Sequence, residues 1–386
     1  MGRLFEEEPE AKKGFLVSVW DYKTTREESL SLEKELLGLS SVLGLVTAGQ
    51  ELVHVRDKQP KYGMSKEQAQ EICGKAEAAK AECVVLNYEL SPAQLERWEE
   101  LTKLPIVDRQ ELIIEVFAAR ATTREGDLQA KLAQLLFSLP RLNHRYVDLS
   151  RKREGRYGTR GQGQMLLEGR RLMVEKKISK IEKELNDIKK RRNVQRRRRE
   201  REGMSVCVFV GYTNCGKSSL IKALTRVDVH IEDQLFTTFD PAVRRLVLDP
   251  PHDPWAAEEG RDPPPPRECL LVDTVGFIRR LPRTLLRAFR STLEEVSEAD
   301  ILIHVLDCSD PDIEGHYQTT CDMLADLGAG TVPTFLVVNK VDKVIAVEVE
   351  RAMYTYPECY LASALDGTGI GLLRRRLSGA LWPYGY

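Results

Sequence analysis

The sequence predicts an α/β chain in which two layers of alternating strands and helices are separated by a long antiparallel helical hairpin. Three observations predict it. Short apolar runs alternate with helical periodicity near both ends of the 386-residue chain. Two much longer helical stripes occupy the middle. A glycine-bearing loop, GYTNCGKS at Gly211 to Ser218, lies between an apolar run and a helix start.

Composition sets the limits. A chain of 386 residues with 42% hydrophobic content can bury more than one core, so several domains are expected. No apolar run reaches the roughly 18 residues that a bilayer span needs. The first residues, MGRLFEEEPEAKKG, are acidic rather than signal-like. A cytoplasmic protein is the expectation, or an organellar-matrix one if the chain is a trimmed form, with no membrane partner. Eight cysteines form no C-x-x-C pair and have no His partner at metal spacing, which fits reduced thiols. Cys215 stands apart, because a thiol among phosphate-loop amides is a candidate for oxidation.

The net charge of −1 conceals an asymmetry. Arg151 to Glu202 carries 20 Lys/Arg against 8 Asp/Glu, a local +12 that leaves −13 for the rest. A solvated helix face would mix its signs, whereas RRNVQRRRRER is almost wholly basic. That concentration points to nucleic-acid contact by Arg196, Arg197, Arg198 and Arg199.

Taken in order, Phe15 to Trp20, Leu52 to Val55, Cys83 to Leu86 and Ile106-Val107 read as strands, and Glu27 to Leu43, Ser65 to Ala81 and Ser91 to Thr102 as helices. Ser91 caps the last of these, with Pro92 at its first position. The alternation implies a small, mostly parallel layer. From Arg109 a long helix is predicted, striped by Leu112, Ile113, Val116, Phe117, Leu128, Leu132, Leu135, Leu136 and Leu139, and ended by Pro140. A second runs from about Gln164 to Arg199 with Leu172, Ile178, Ile181, Leu185 and Ile188 on one stripe. The two stripes should zip into an antiparallel hairpin. Arg141 to Gly163 joins them, either as a flexible loop or as a basic fingertip that offers Arg156, Tyr157 and Arg160 to folded RNA. Further on, Arg244 to Leu248, Cys269 to Val272, Ile301 to Leu306 and Thr334 to Val338 read as strands. Asp249 to Arg267, with seven prolines, is read as a solvated insertion joining two of them.

The polar residues after these strands carry the chemistry. Gly211, Tyr212, Thr213, Asn214, Cys215, Gly216, Lys217 and Ser218 fit G-x-x-x-x-G-K-[ST], with Ser219 following into the helix. Backbone amides cradle an anion there, Lys217 meets the outer phosphates, and Ser218 can ligate Mg²⁺. Asp273 and Gly276 belong to D-x-x-G, Asp273 reaching Mg²⁺ through water and the Gly276 amide sensing the γ-phosphate. Asn339, Lys340 and Asp342 give N-K-x-D, in which one carboxylate accepts from both N1 and N2 of guanine. Ser363-Ala364 brings a backbone amide near guanine O6. Phe236-Thr237-Thr238 lies where a switch segment should supply a hydroxyl to Mg²⁺; Thr238 is the choice and Thr237 the alternative. Four motifs in this order imply a P-loop GTPase domain that takes GTP and Mg²⁺, with Lys217, Thr238 and Gly276 as candidates for the hydrolytic step. Phe277 stands where Ras-like enzymes carry the water-orienting Gln, so unaided turnover should be slow. Arg279, Arg280 and Arg283 lie nearby, but their geometry cannot be read from sequence.

GYTNCGKS, FTTFDP, DTVGF and NKVD, together with LSPAQ at Leu90, IVDRQELI at Ile106, ARATTREGDLQAKLAQL at Ala119 and GTRGQG at Gly158, resemble the HflX family of ribosome-associated GTPases over about Phe15 to Ser378. The resemblance implies a protein that binds the large ribosomal subunit when loaded with GTP, brings its hairpin towards the peptidyl-transferase region, and splits or rescues stalled or idle ribosomes. The expected division is 1–108 as a small N-terminal α/β domain, 109–202 as the hairpin with its basic loop, and 203–386 as the GTPase domain with a short tail. A monomer is expected. A large-subunit assembly factor and a switch for a protein partner are the alternatives.

Overall fold

Phe15, Leu16 and Val17 are all buried, yet neighbouring strand residues face opposite ways, so their strand must be covered on both sides. The computed structural model shows how. It describes residues 12–20, 26–57, 59–152, 160–225, 242–250, 266–279 and 281–381. The chain divides into two compact units, Met1–Asp187 with Leu281–Ala288, and Ile188–Arg280 with Phe289–Tyr386.

The first unit begins with β1 (Lys13–Trp20), α1 (Arg26–Val42), β2 (Val46–His54), α2 (Lys66–Ala78), β3 (Cys83–Leu86), α3 (Pro92–Thr102) and β4 (Ile106–Asp108). Its four strands pair in the order β2-β1-β3-β4, every pair parallel, as alternation requires. Ser65 and Ser91 each make a capping box, with Gln68 and Gln94 respectively, and Pro92 opens α3 as expected. The second strand is longer than the apolar Leu52 to Val55 suggests. Its earlier half, with Thr47, Gly49 and Gln50 interrupting Val46 and Ala48, has no continuous apolar run and reads as loop until β1 pairs with it.

The long helix predicted from Arg109 is two helices, α4 (Arg109–Arg120) and α5 (Arg124–Lys152). Ala121 turns to extended backbone, and Thr123 Oγ1 accepts from the Gly126 amide at 3.1 Å, starting a new helix. Pro140 does not end the helix but lies inside α5. Its neighbour Arg141 explains the tolerance. Arg141 is buried, pairs with Asp108 at 2.5 Å and Glu111 at 3.5 Å, and lies over the Phe137 ring at 3.6 Å. Those anchors hold the turn that a proline weakens. Asp108 also accepts from the amides of Leu90 and Glu111, while buried Arg109 bonds Asn87 and Glu35 at 2.5 Å each.

Helix α6 (Arg160–Arg201) crosses from the first unit into the second at Ile188. Arg124, at the start of α5, reaches Glu184 of α6 at 2.9 Å, the pairing an antiparallel hairpin demands. Ile178 and Leu185 of the predicted stripe are buried, while Leu172 is exposed. Helix runs further into the predicted basic loop than expected, to Lys152 on one side and from Arg160 on the other; 153–159 lie outside the described residues.

The second unit adds β5 (Ser205–Gly211), α7 (Lys217–Thr225), β6 (Ala242–Leu248), β7 (Arg267–Asp273), α8 (Arg283–Ser297), β8 (Ile301–Asp307), α9 (Ile313–Asp326), β9 (Thr334–Asn339), α10 (Ala346–Thr355), β10 (Tyr360–Leu361) and α11 (Ile370–Leu381). The opening residues of α8 belong to the first unit, where Arg287 pairs with Glu182 at 2.6 Å. The strand order is β10-β9-β8-β5-β7-β6, with only β6 antiparallel, to β7. Phe209, Leu220, Leu271, Ile303, Val337 and Leu373 fill one face of this sheet. After β5 the chain builds outward on one side and then returns to pair β8 on the other, so a crevice opens at the carboxyl end of β5.

Candidate nucleotide site

Parallel strands put their carboxyl ends on one edge, and that edge collects Gly211, Asp273, Asp307, Asn339 and, past β10, Ser363. The loop after β5 turns sharply. Gly216 has φ +95°, and an added Cβ would collide with Asn339 Nδ2, so only glycine fits. Lys217 is buried and donates to the carbonyls of Gly211 at 3.2 Å and Tyr212 at 2.8 Å, which curl the loop around its ammonium. Ser218 Oγ donates to Asp273 Oδ2 at 2.5 Å. Hydroxyl and carboxylate together are the hard oxygen donors that Mg²⁺ takes, so the residues fit that ion. Ser219 follows on α7.

The guanine side is stitched to the phosphate side. Asn339 donates through Nδ2 to the Cys215 carbonyl at 3.0 Å and accepts at Oδ1 from the Ala364 amide at 3.2 Å. Lys340, in left-handed backbone at φ 63°, donates to the Asn214 carbonyl at 2.7 Å and pairs with Asp307 at 2.6 Å. Asp342 is exposed, and its carboxylate is oriented by the Ser363 hydroxyl at 2.6 Å. Ser363 in turn accepts from the amides of Leu365 and Asp366. The edge of Asp342 therefore faces outward, fixed in direction and able to accept two hydrogen bonds.

The D-x-x-G segment lies on the phosphate loop. Phe277 donates its amide to the Gly211 carbonyl at 3.0 Å and accepts from the Thr213 amide at 2.9 Å. A Cβ on Gly276 would stand 2.7 Å from Thr213 Cα. The Phe277 side chain is buried and brings no hydrogen-bonding group to the site. Arg279 is no free finger. It is buried, its guanidinium pairs with Asp312, and its amide donates to Tyr212 Oη at 3.1 Å. Tyr212 stacks flat on His316, centroids 3.6 Å apart.

Burial pushes the Cys215 thiol up, although Lys217 and Lys340 pull the other way, so it stays protonated and is a poor oxidation target. Beneath α9, His304 is held neutral, its pKa lowered to about 3 by burial first and the Lys217 charge second.

Some expected residues fall elsewhere. Phe236, Thr237 and Thr238 lie outside the described residues, as do Arg156 and Tyr157. Arg160, Arg198 and Arg199 lie on α6 with side chains outside them. Arg197 is exposed, while Arg196 pairs with Glu298. Sequence reasoning named Arg279 without its geometry and missed Asp307, Asp312 and His316. Asp307 was findable, since it ends a strand as Asp273 and Asn339 do. Asp312 immediately precedes α9 and His316 lies in it, with no motif to mark either.

An open, mostly parallel sheet with a Lys-bearing phosphate loop at its switch point, D-x-x-G on the next strand and N-K-x-D two strands away defines a P-loop GTPase. The comparisons narrow the class. Family models described as "GTP-binding GTPase N-terminal", "GTP-binding GTPase Middle Region" and "50S ribosome-binding GTPase" match residues 30–118, 120–199 and 206–340. GTPase HflX of Akkermansia muciniphila is 40% identical over 351 residues, covering 88% of this chain and 77% of that one. GTPase HflX of Caldanaerobacter subterraneus subsp. tengcongensis is 41% identical over 321 residues, covering 82% and 69%. That of Escherichia coli K12 is 33% identical over 384 residues, covering 97% and 85%. The chain belongs to the HflX family of GTPases.

Proposed function

We propose that this GTPase binds the large ribosomal subunit in its GTP form and splits or rescues stalled or idle ribosomes, with hydrolysis stimulated by the ribosome. The observation that carries the proposal is the continuity of α6. One helix bears exposed Lys176, Lys177, Lys180, Lys183, Arg191 and Arg197, and the same helix ends in the unit that holds the nucleotide site. Cations at that density suit a phosphate backbone. The model match described as a 50S ribosome-binding GTPase supports the choice of partner.

In this reading Asp342 accepts from guanine N1 and N2, Asn339 and Ala364 frame the base, and Lys217 with the loop amides holds the phosphates. Ser218, Thr238 and, through water, Asp273 would hold Mg²⁺, which would supply positive charge to the terminal phosphate. The Gly276 amide turns to that phosphate once the segment lifts from Thr213. The chain works as three parts, 1–108, 109–202 and 203–386. Among the described residues no helix is long and apolar enough to cross a membrane.

The experiment is a sedimentation profile of whole ribosomes with the protein and GTP. Conversion to free subunits is expected, and GDP should not support it. An unchanged profile with protein competent for hydrolysis removes splitting, and preferential binding to precursor particles would favour an assembly role.

A further inference from the structure

Within the second unit, the last turns of α6 lie against α8. Lys189 Nζ meets Glu294 at 2.5 Å, Arg192 Nη1 meets Glu295 at 3.0 Å, and Arg196 pairs with Glu298. The cations recur three and four residues apart, so they share one helix face, and the acids at 294, 295 and 298 do the same. The side chains are neither sealed nor free, being 27–41% exposed on the basic side and 26–37% on the acidic side. Arg192 Nη1 is itself buried, so a competing polyanion reaches the latch first at Lys189 and Arg196. Behind its acidic stripe α8 is anchored by buried Leu293 and Val296. Earlier in the chain, beyond the opening turns of α8, lie buried Ile278 and then Phe277, whose amide and carbonyl are both hydrogen-bonded to the phosphate loop, next to Gly276.

We propose that Lys189, Arg192 and Arg196 form a charge latch on α8 for which RNA phosphate competes, so that the helix whose exposed cations meet RNA also holds the hydrolytic segment in its idle setting. The proposal rests on the RNA-contact reading above and adds a route from contact to turnover. With the latch closed, Gly276 and Phe277 rest on Gly211 and Thr213. When phosphates take the three cations, the last turns of α8 lose these pairs while Arg287 keeps the opening turns on Glu182, so the last turns shift, the segment lifts, and the Gly276 amide turns to face the terminal phosphate. Each half-exposed pair shifts an equilibrium by about 1.4-fold to about fivefold, so three additive pairs hold between about threefold and about a hundredfold, with about tenfold near the middle of that range. Contacts with a phosphate backbone gain from counterion release and outcompete pairs of that strength.

The test is the variant E294Q/E295Q/E298Q, which leaves the cations and the nucleotide residues in place. Basal GTP turnover at saturating GTP, without ribosomes, should rise about tenfold over wild type at low salt and converge with it at high salt. Affinity for a fluorescein-labelled RNA hairpin should rise as well, and the same hairpin should speed wild-type turnover. Tighter RNA binding with unchanged basal turnover would overturn the latch, and so would both quantities unchanged. If the variant melts early, wild type serves alone: its basal turnover should climb between about 50 and about 500 mM NaCl as the pairs are screened, and a flat or falling profile overturns the proposal. None of these arms uses ribosomes. A faster variant beside a wild type indifferent to large subunits would fail the ribosome reading and leave the latch standing.

Discussion

Asn339 makes the two halves of the nucleotide site one object, because a single amide donates to the Cys215 carbonyl and accepts from the Ala364 amide. Motif order shows Asn339 as part of N-K-x-D, but not that its side chain spends its hydrogen bonds on protein backbone. Lys340 does the same, bonding Asn214 and Asp307. Only Asp342 of the three turns outward. His304 is a residue whose role no motif reveals. Its folded pKa of about 3 lies below the ordinary 6.5, so below pH 6.5 the unfolded chain binds a proton that the folded chain refuses. The contribution is intact above pH 6.5 and is lost as pH falls towards 3. Comparing wild type with His304→Phe by urea unfolding, wild type should lose about 2 kcal/mol more than the variant between pH 7 and pH 5. Parallel pH profiles would show that His304 is not held neutral.

At the scale of elements, the strands were legible because burial on both faces makes parallel strands uniformly apolar, and the polar residue ending each one marks the site edge. What the sequence concealed are boundaries decided by tertiary contacts. The break between α4 and α5 depends on Thr123 capping, and helix through Pro140 depends on where Arg141 lands. Periodicity sees neither. The cluster of Asp108, Glu111, Arg141 and Phe137 fixes α5 on the first sheet's unit. Arg141→Leu removes one partner of a buried pair and strands Asp108 with only the Leu90 and Glu111 amides. A loss of about 3 kcal/mol is expected, read as a lower urea midpoint at unchanged slope by tryptophan fluorescence. A loss under about 1 kcal/mol would show that the network does not hold the helix.

For the whole molecule, the charge asymmetry identified the basic segment, yet part of that basicity is spent on the protein itself. Arg196 illustrates this, assigned to RNA by its neighbours in sequence and found on Glu298. A run of like charges says nothing about which acids a distant helix will bring, so the exposed and the internally paired cations could be separated only once α8 was in place. The site shows the same division: its motifs were readable in order, whereas Phe277 lying on the phosphate loop, and Arg279 tied to Asp312, depended on the fold. Both bear on the central claim, a GTPase idle by itself because Phe277 cannot orient water and Arg279 is already engaged by Asp312. The direct measurement is GTP turnover with and without purified large ribosomal subunits. Slow unaided turnover and stimulation of about tenfold or more is the predicted result. Fast turnover by the protein alone, or no response to the subunits, would contradict it.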